Sequence, residues 1–193
     1  MQSIIRWDRL MLRHINAEWH NNFLDWLLPF FRNADTWTPF YFFMLFFVLL
    51  NFKKTGWWVL FAALTPALGD YISSHLIKPN FFRLRPCNEP AIAEWLRFLP
   101  GLYRPQSSSF TSSHATNHFA MAMFFYATLK DHIGKWALLF FVWAAIICYA
   151  QMYVGVHYPS DIICGSIVGL MIGYSTSYIF NKKWGLAYSP VNV

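Results

Sequence analysis

The chain has 193 residues, of which 56% are hydrophobic and only 12% charged, and its 20 Phe and 10 Trp far exceed what an ordinary soluble domain of this length carries. A formal charge of +6 invites a nucleic-acid partner, but the Lys and Arg fall in short clusters between apolar blocks, which excludes that class and points to a lipid bilayer. Cys87, Cys148 and Cys164 form no CxxC pair, so neither a disulfide framework nor a cysteine metal site is expected, and no cofactor is invoked.

Residues 1–32 form the first segment. Arg6, Asp8, Arg9, Arg13 and Glu18 interrupt any continuous apolar core, which rules out a signal peptide. At about 100° per residue, Ile4, Trp7, Met11 and Ile15 share one helical face and Arg6, Arg9 and Arg13 the opposite one. That pattern predicts an amphipathic helix lying on lipid headgroups. "FLDWLLPFF", within residues 20–32, is too short to span and either continues the interfacial helix or packs across the bundle.

A spanning helix needs about 20 mostly apolar residues. Five runs come near that length, at 36–52, 57–77, 114–129, 136–154 and 161–180. The expected fold is therefore all-α, a polytopic membrane bundle of about five spans occupying 36–180, within a single domain over 1–193. Asp70, inside the second run, is a functional candidate or a polar helix contact in equal measure, and His75 and His118 read as supports of a site or as packing. Gly165, Gly169 and Gly173 recur every fourth residue in the last run, a pattern that allows close helix approach. Oligomeric state is left open.

The connection at 78–113 is the one long polar loop, and such loops are usually functional. Counting spans places this loop and the "VGVHYPSD" turn on the same side. Lys53, Lys54, Lys130, Lys135, Lys182 and Lys183 fall on the other. If those lysines mark the cytoplasm, the long loop faces the periplasm or exterior of a bacterial inner membrane.

Three clusters meet on that outer side: "KPNFFRLRP" (78–86), "SFTSSHA" (109–115) and "GVHYPSD" (155–161). Cleaving a phosphate ester needs cations and N–H donors around the oxygens, an in-line nucleophile and an acid for the leaving oxygen. Lys78 and Arg85 suit the first task. Ser112, with the backbone N–H groups of Ser113 and His114 where the third run begins, can add a helix N-terminal anion site. His157 with Asp161 at i+4 makes an oriented imidazole suited to nucleophilic attack, and His114 is then the general acid.

Together the clusters resemble the three motifs of the type 2 phosphatidic acid phosphatase family, K-x6-R-P, P-S-G-H and S-R-x5-H-x3-D. The resemblance implies a metal-independent membrane phosphatase in which His157 is transiently phosphorylated, Asp161 is its partner and His114 protonates the departing group. It implies a lipid phosphate as substrate: lipid A, undecaprenyl diphosphate, phosphatidylglycerophosphate or phosphatidic acid. Family analogy leans toward the first two, which an outward-facing site would meet in a bacterial envelope.

Two positions depart from the pattern. Thr111-Ser112-Ser113-His114 stands for P-S-G-H, and Ala150-Gln151 for the Ser-Arg pair. Losing a phosphate-binding Arg could cost about 10² to 10³ in rate. Either Arg83 or Arg104 supplies the missing cation to the phosphate beside Gln151, or the chain is a weak or silent lipid-phosphate binder. A small transporter subunit is a further alternative, for which Asp70 is the only hint.

Overall fold

A backbone surrounded by hydrocarbon can satisfy its N–H and C=O groups only within its own segment, so each long apolar run folds as helix. The computed structural model describes residues 2–53 and 55–188. The N-terminal segment holds α1 (Gln2–Arg13), a π-helical turn at His14–Glu18, and α2 (Asn22–Arg32). The apolar runs become α3 (Thr38–Asn51), α4 (Thr55–Tyr71, prolonged by a π-helical turn at Ile72–Ile77), α5 (Ser113–Ile133), α6 (Leu139–Tyr153) and α7 (Pro159–Lys183).

Among the described residues, two stretches are long and apolar enough to cross a membrane, Ser113–Tyr153 and Pro159–Lys183. The first is an antiparallel hairpin of α5 and α6, since the rings of His118 and Trp143 lie 5.1 Å apart while those of Phe125 and Phe140, one end further on, lie 5.3 Å apart. By contrast, α3 has 14 residues, a rise of roughly 21 Å against a hydrocarbon core of about 30 Å.

Aromatic and aliphatic side chains including Trp58, Phe124, Phe125, Phe140, Ile147 and Phe180 fill the core between helices. The tightest crossing is α5 on α7. A Cβ placed on Gly169 would stand 2.3 Å from the Thr116 carbonyl oxygen, and one on Gly173 2.3 Å from that of Ala120, so only hydrogen fits there. This contact runs up to the motif end, where Ser112 N–H donates to the Asp161 carbonyl at 3.2 Å.

At the far end, β1 (Phe52–Lys53) pairs antiparallel with β2 (Ala187–Tyr188), and Trp57 stacks on Trp184 at 4.4 Å. Lys53 belongs to this end, and Lys54 lies outside the described residues.

On the apolar face expected for the amphipathic segment, Ile4 and Trp7 are exposed, and Ile15 is the residue that departs. Asp8, Leu12 and Ile15 turn into the protein while Ile4, Ile5, Trp7 and Leu10 stay exposed. Ile15 sits in the π-helical turn, where the widened backbone rotates it off the line of Ile4 and Trp7 and into an apolar cluster with Leu28, Ala150 and Tyr153.

Candidate functional site

The π-helical turn ending α4 presents Lys78, whose Nζ donates to Ser113 Oγ at 2.7 Å. Burial, with the Arg85 charge adding to it, pushes the Lys78 ammonium down to about 8. Arg85 is buried and bonded entirely to neutral groups: Nε to the Ser107 carbonyl at 2.9 Å, Nη2 to Ser107 Oγ at 3.1 Å and the Ser108 carbonyl at 3.3 Å, Nη1 to the Val156 carbonyl at 3.2 Å. Its Nη1 also donates to His157 Nε2 at 3.0 Å. Both cations therefore lack a carboxylate contact, which favours capture of an anion.

His157 hangs from the turn between α6 and α7, which Gly155 makes possible at φ +73°, where any Cβ is strained. The ring is almost fully buried. Because a guanidinium can only donate, Nε2 accepts and the ring proton belongs on Nδ1. Nδ1 faces Ser109 Oγ at 3.4 Å and Asp161 Oδ2 at 3.7 Å, while Ser109 Oγ donates to that same Oδ2 at 2.5 Å. Asp161 thus reaches the imidazole chiefly through a hydroxyl. Burial holds His157 down at about 4, with the Asp161 carboxylate pulling the other way, so the ring is neutral and its Nε2 lone pair is available near pH 7.

Asp161 is held from several directions. It caps α7 by accepting from Tyr158 N–H at 2.9 Å, and its Oδ1 accepts from Arg83 Nη1 at 2.7 Å. Arg83 Nη2 in turn bonds Asp8 Oδ2 at 2.6 Å, and Asp8 accepts from the Ser160 N–H at 2.8 Å and hydroxyl at 2.5 Å. Asp8 is fully buried, and Arg83 stacks 3.9 Å over the Tyr158 ring.

Ser109 and Asp8 take part in this hydrogen-bonded network without having been marked by the sequence. Asp8 left one trace, a lone acid between Arg6, Arg9 and Arg13 that was read only as an interruption of an apolar core. Ser109 left none, since a serine before a helix is unremarked without its partner.

Ser112 is the N-cap of α5, accepting from Ala115 N–H at 3.3 Å, and with its own N–H on Asp161 it ties α5 to α7. The N–H groups of Ser113 and His114, in the first turn, have no intrahelical acceptor. The His114 ring lies parallel to His118 at 6.2 Å, makes no hydrogen bond among the described residues and lines a cavity of about 360 Å³ with Arg32, Asn33 and Tyr103.

Gln151 is fully buried at the end of α6, and neither its Nε2 nor its Oε1 finds a partner among the described residues. The guanidinium of Arg83 is engaged by Asp8 and Asp161, and that of Arg104 is exposed, donating to the Cys87 carbonyl at 3.0 Å and lying 4.6 Å over Phe98. Two other polar residues of α4 and its π-turn turn outward: exposed Asp70 accepts from Ser74 at 3.1 Å, and His75 stacks on Tyr71 at 5.2 Å.

The sequence profile of the PAP2 superfamily matches residues 55–185. The chain is 32% identical over 84% of its length to a lipid A 4'-phosphatase of Bacteroides thetaiotaomicron, covering 72% of that protein. It is 30% identical over its whole length to a lipid A 4'-phosphatase of Porphyromonas gingivalis, covering 82% of it. Among solved structures, a transmembrane PAP2-type phosphatidylglycerolphosphate phosphatase from Bacillus subtilis superposes with a TM-score of 0.73 over 95% of this chain and 89% of that one, at 18% identity.

Proposed function

Because the chain belongs to the PAP2 superfamily, we propose that it is an integral membrane phosphatase, with five helices crossing an inner membrane and the site on the outer side, that removes a phosphate from a lipid, foremost a phosphomonoester of lipid A. The carrying observation is the Arg85–His157–Ser109–Asp161 line, a neutral imidazole whose free nitrogen already touches a cation. The two lipid A relatives support the choice of substrate. A groove of about 470 Å³ supports a lipid rather than a soluble ester: it is lined by Tyr41, Met44, Trp58, Met121 and Phe125 and shares Ala34 with the cavity at His114.

In this mechanism the substrate phosphate displaces Arg85 from His157 Nε2 and takes its donors, together with those of Lys78 and the first N–H groups of α5. Nε2 attacks phosphorus in line and the phosphorus–oxygen bond to the leaving group breaks. His114 donates its proton to that oxygen, and the imidazolium forming on His157 is stabilised through Nδ1 by Ser109 and Asp161. Water then attacks the phosphohistidine, giving its proton to His114 as the phosphorus–nitrogen bond breaks. No step calls for a metal, so turnover is expected to survive EDTA.

The test is inorganic phosphate release by purified protein from lipid A, undecaprenyl diphosphate, phosphatidylglycerophosphate and phosphatidic acid, beside His157→Ala. Acid-labile label on the wild type but not on His157→Ala is expected. Equal release by the two proteins defeats the enzyme. Gln151, buried without a partner, favours a second reading in which lipid phosphate is held but turned over slowly. Binding without release by the wild type selects it.

A further inference from the structure

A PAP2-type site with a neutral side chain at position 151 lacks one cation, and the side chains of Arg83 and Arg104 are anchored elsewhere. Of the other arginines at this end of the bundle, Arg97 is paired with Asp25, whereas Arg32 faces the cavity at His114. Arg32 is the last residue of α2, the helix whose Leu28 packs with Cys87, Ala150, Tyr153 and Val154 against the end of α6. That packing aims the C-terminus of α2 at the site. Arg32 lines the 360 Å³ cavity from one side and His114 from another, and its charge acts on both His114 and Arg85.

Among the described residues, Arg32 makes no ion pair and no side-chain hydrogen bond, although it is half-buried. Burial depresses its pKa with no carboxylate to oppose it. A half-buried guanidinium that has no protein acceptor and lines a cavity is available to bind an anion there. The ligand must be anionic, small enough for the cavity and in reach of His114, which describes a phosphate oxygen.

Resting on the phosphatase reading above, we propose that Arg32 is a substrate-binding residue that grips the transferring phosphate on the His114 side and supplies the positive charge absent at Gln151. The clamp is thereby moved from α6 to α2, whose Pro29 and Arg32 line the cavity at His114. The planar fork of Arg also orients the phosphate, which a lysine does less well.

The experiment compares Arg32→Gln, Arg32→Lys and the double variant Arg32→Gln/Gln151→Arg in one detergent, reading kcat, KM and inhibition by orthovanadate, a mimic of the transferring group. Size-exclusion elution and thermal midpoint control for folding. Arg32→Gln is expected to lose about 10² to 10³ in kcat/KM and to weaken orthovanadate inhibition at least about tenfold, on the same footing as one lost charged hydrogen bond. Arg32→Lys keeps part of both, and Gln151→Arg restores vanadate affinity in the double variant. Unchanged vanadate inhibition in a folded Arg32→Gln protein overturns the proposal, as does a KM rise for lipid with vanadate unaffected, which would place Arg32 on another part of the substrate. If the wild type releases no phosphate, the enzymatic reading fails by itself. Vanadate-induced thermal stabilisation, which needs no turnover, still decides for or against Arg32: a shift lost in Arg32→Gln upholds it, and an equal shift in both proteins defeats it.

Discussion

In the proposed mechanism Lys78 sets the alkaline behaviour of the site. Its ammonium, held near 8, is positive below that pH and neutral above it, so kcat/KM is expected to fall as pH rises through about 8. Bound phosphate favours the charged form, so the same limb in kcat lies at higher pH. Lys78→Arg, which keeps its charge throughout, should move the limb of kcat/KM upward; a limb that stays in place assigns it to another group. In the same scheme His157 sets the acid side: held near 4, it keeps its lone pair well below the ordinary histidine range. Ser109→Ala removes the hydroxyl between Nδ1 and Asp161 without touching the phosphate cradle. A loss of about 10- to 100-fold in kcat with KM unchanged is expected, the size of one hydrogen bond to a charged group.

At the scale of elements, the crossing of α5 over α7 is what brings Ser112 and His114 to Asp161. A methyl on Gly169 would collide with the Thr116 carbonyl. Gly169→Ala should cost about 1–3 kcal/mol, seen as a lower thermal midpoint, and should lower activity because the helix ends separate where the site lies. The other fastening is polar. Asp8 of α1 is buried against Arg83, and Asp8→Ala leaves that guanidinium with Asp161 and Ser160 only, at a cost of about 1–3 kcal/mol for the charged hydrogen bonds lost. The measurement is the thermal midpoint together with kcat; a protein unchanged in both would show that α1 rests on the bundle without holding it.

For the molecule as a whole, the order of helices was readable because apolar runs of bilayer length have few other ways to fold. The start of α5 and the end of α7 fell close to the expected 114 and 180, yet α3 came out at 14 residues because Thr36 and Trp37 lie in a 3-10 turn (Ala34–Trp37) and Phe52 leaves the helix to pair with Tyr188. Local spacing showed in the site as well: Lys78 and Arg85 lie seven residues apart, His157 and Asp161 four, and each pair is carried by one short segment. What stayed hidden was long-range. Asp8 meets Arg83 across 75 positions and Ser109 meets Asp161 across 52, and no periodicity encodes such partners. Arg32 was overlooked for the same reason, being separated from His114 by most of α3, α4 and the long loop.

The two-sided character of α1 has a mechanical consequence. Ile4, Trp7 and Leu10 face outward while Asp8, on the inner edge, grips the arginine that steadies the Asp161 carboxylate. Lateral pressure in the surrounding leaflet therefore bears directly on the alignment of the imidazole, and solubilising agents that strip this rod from its lipid seat will slow the protein even where every helix of the bundle survives.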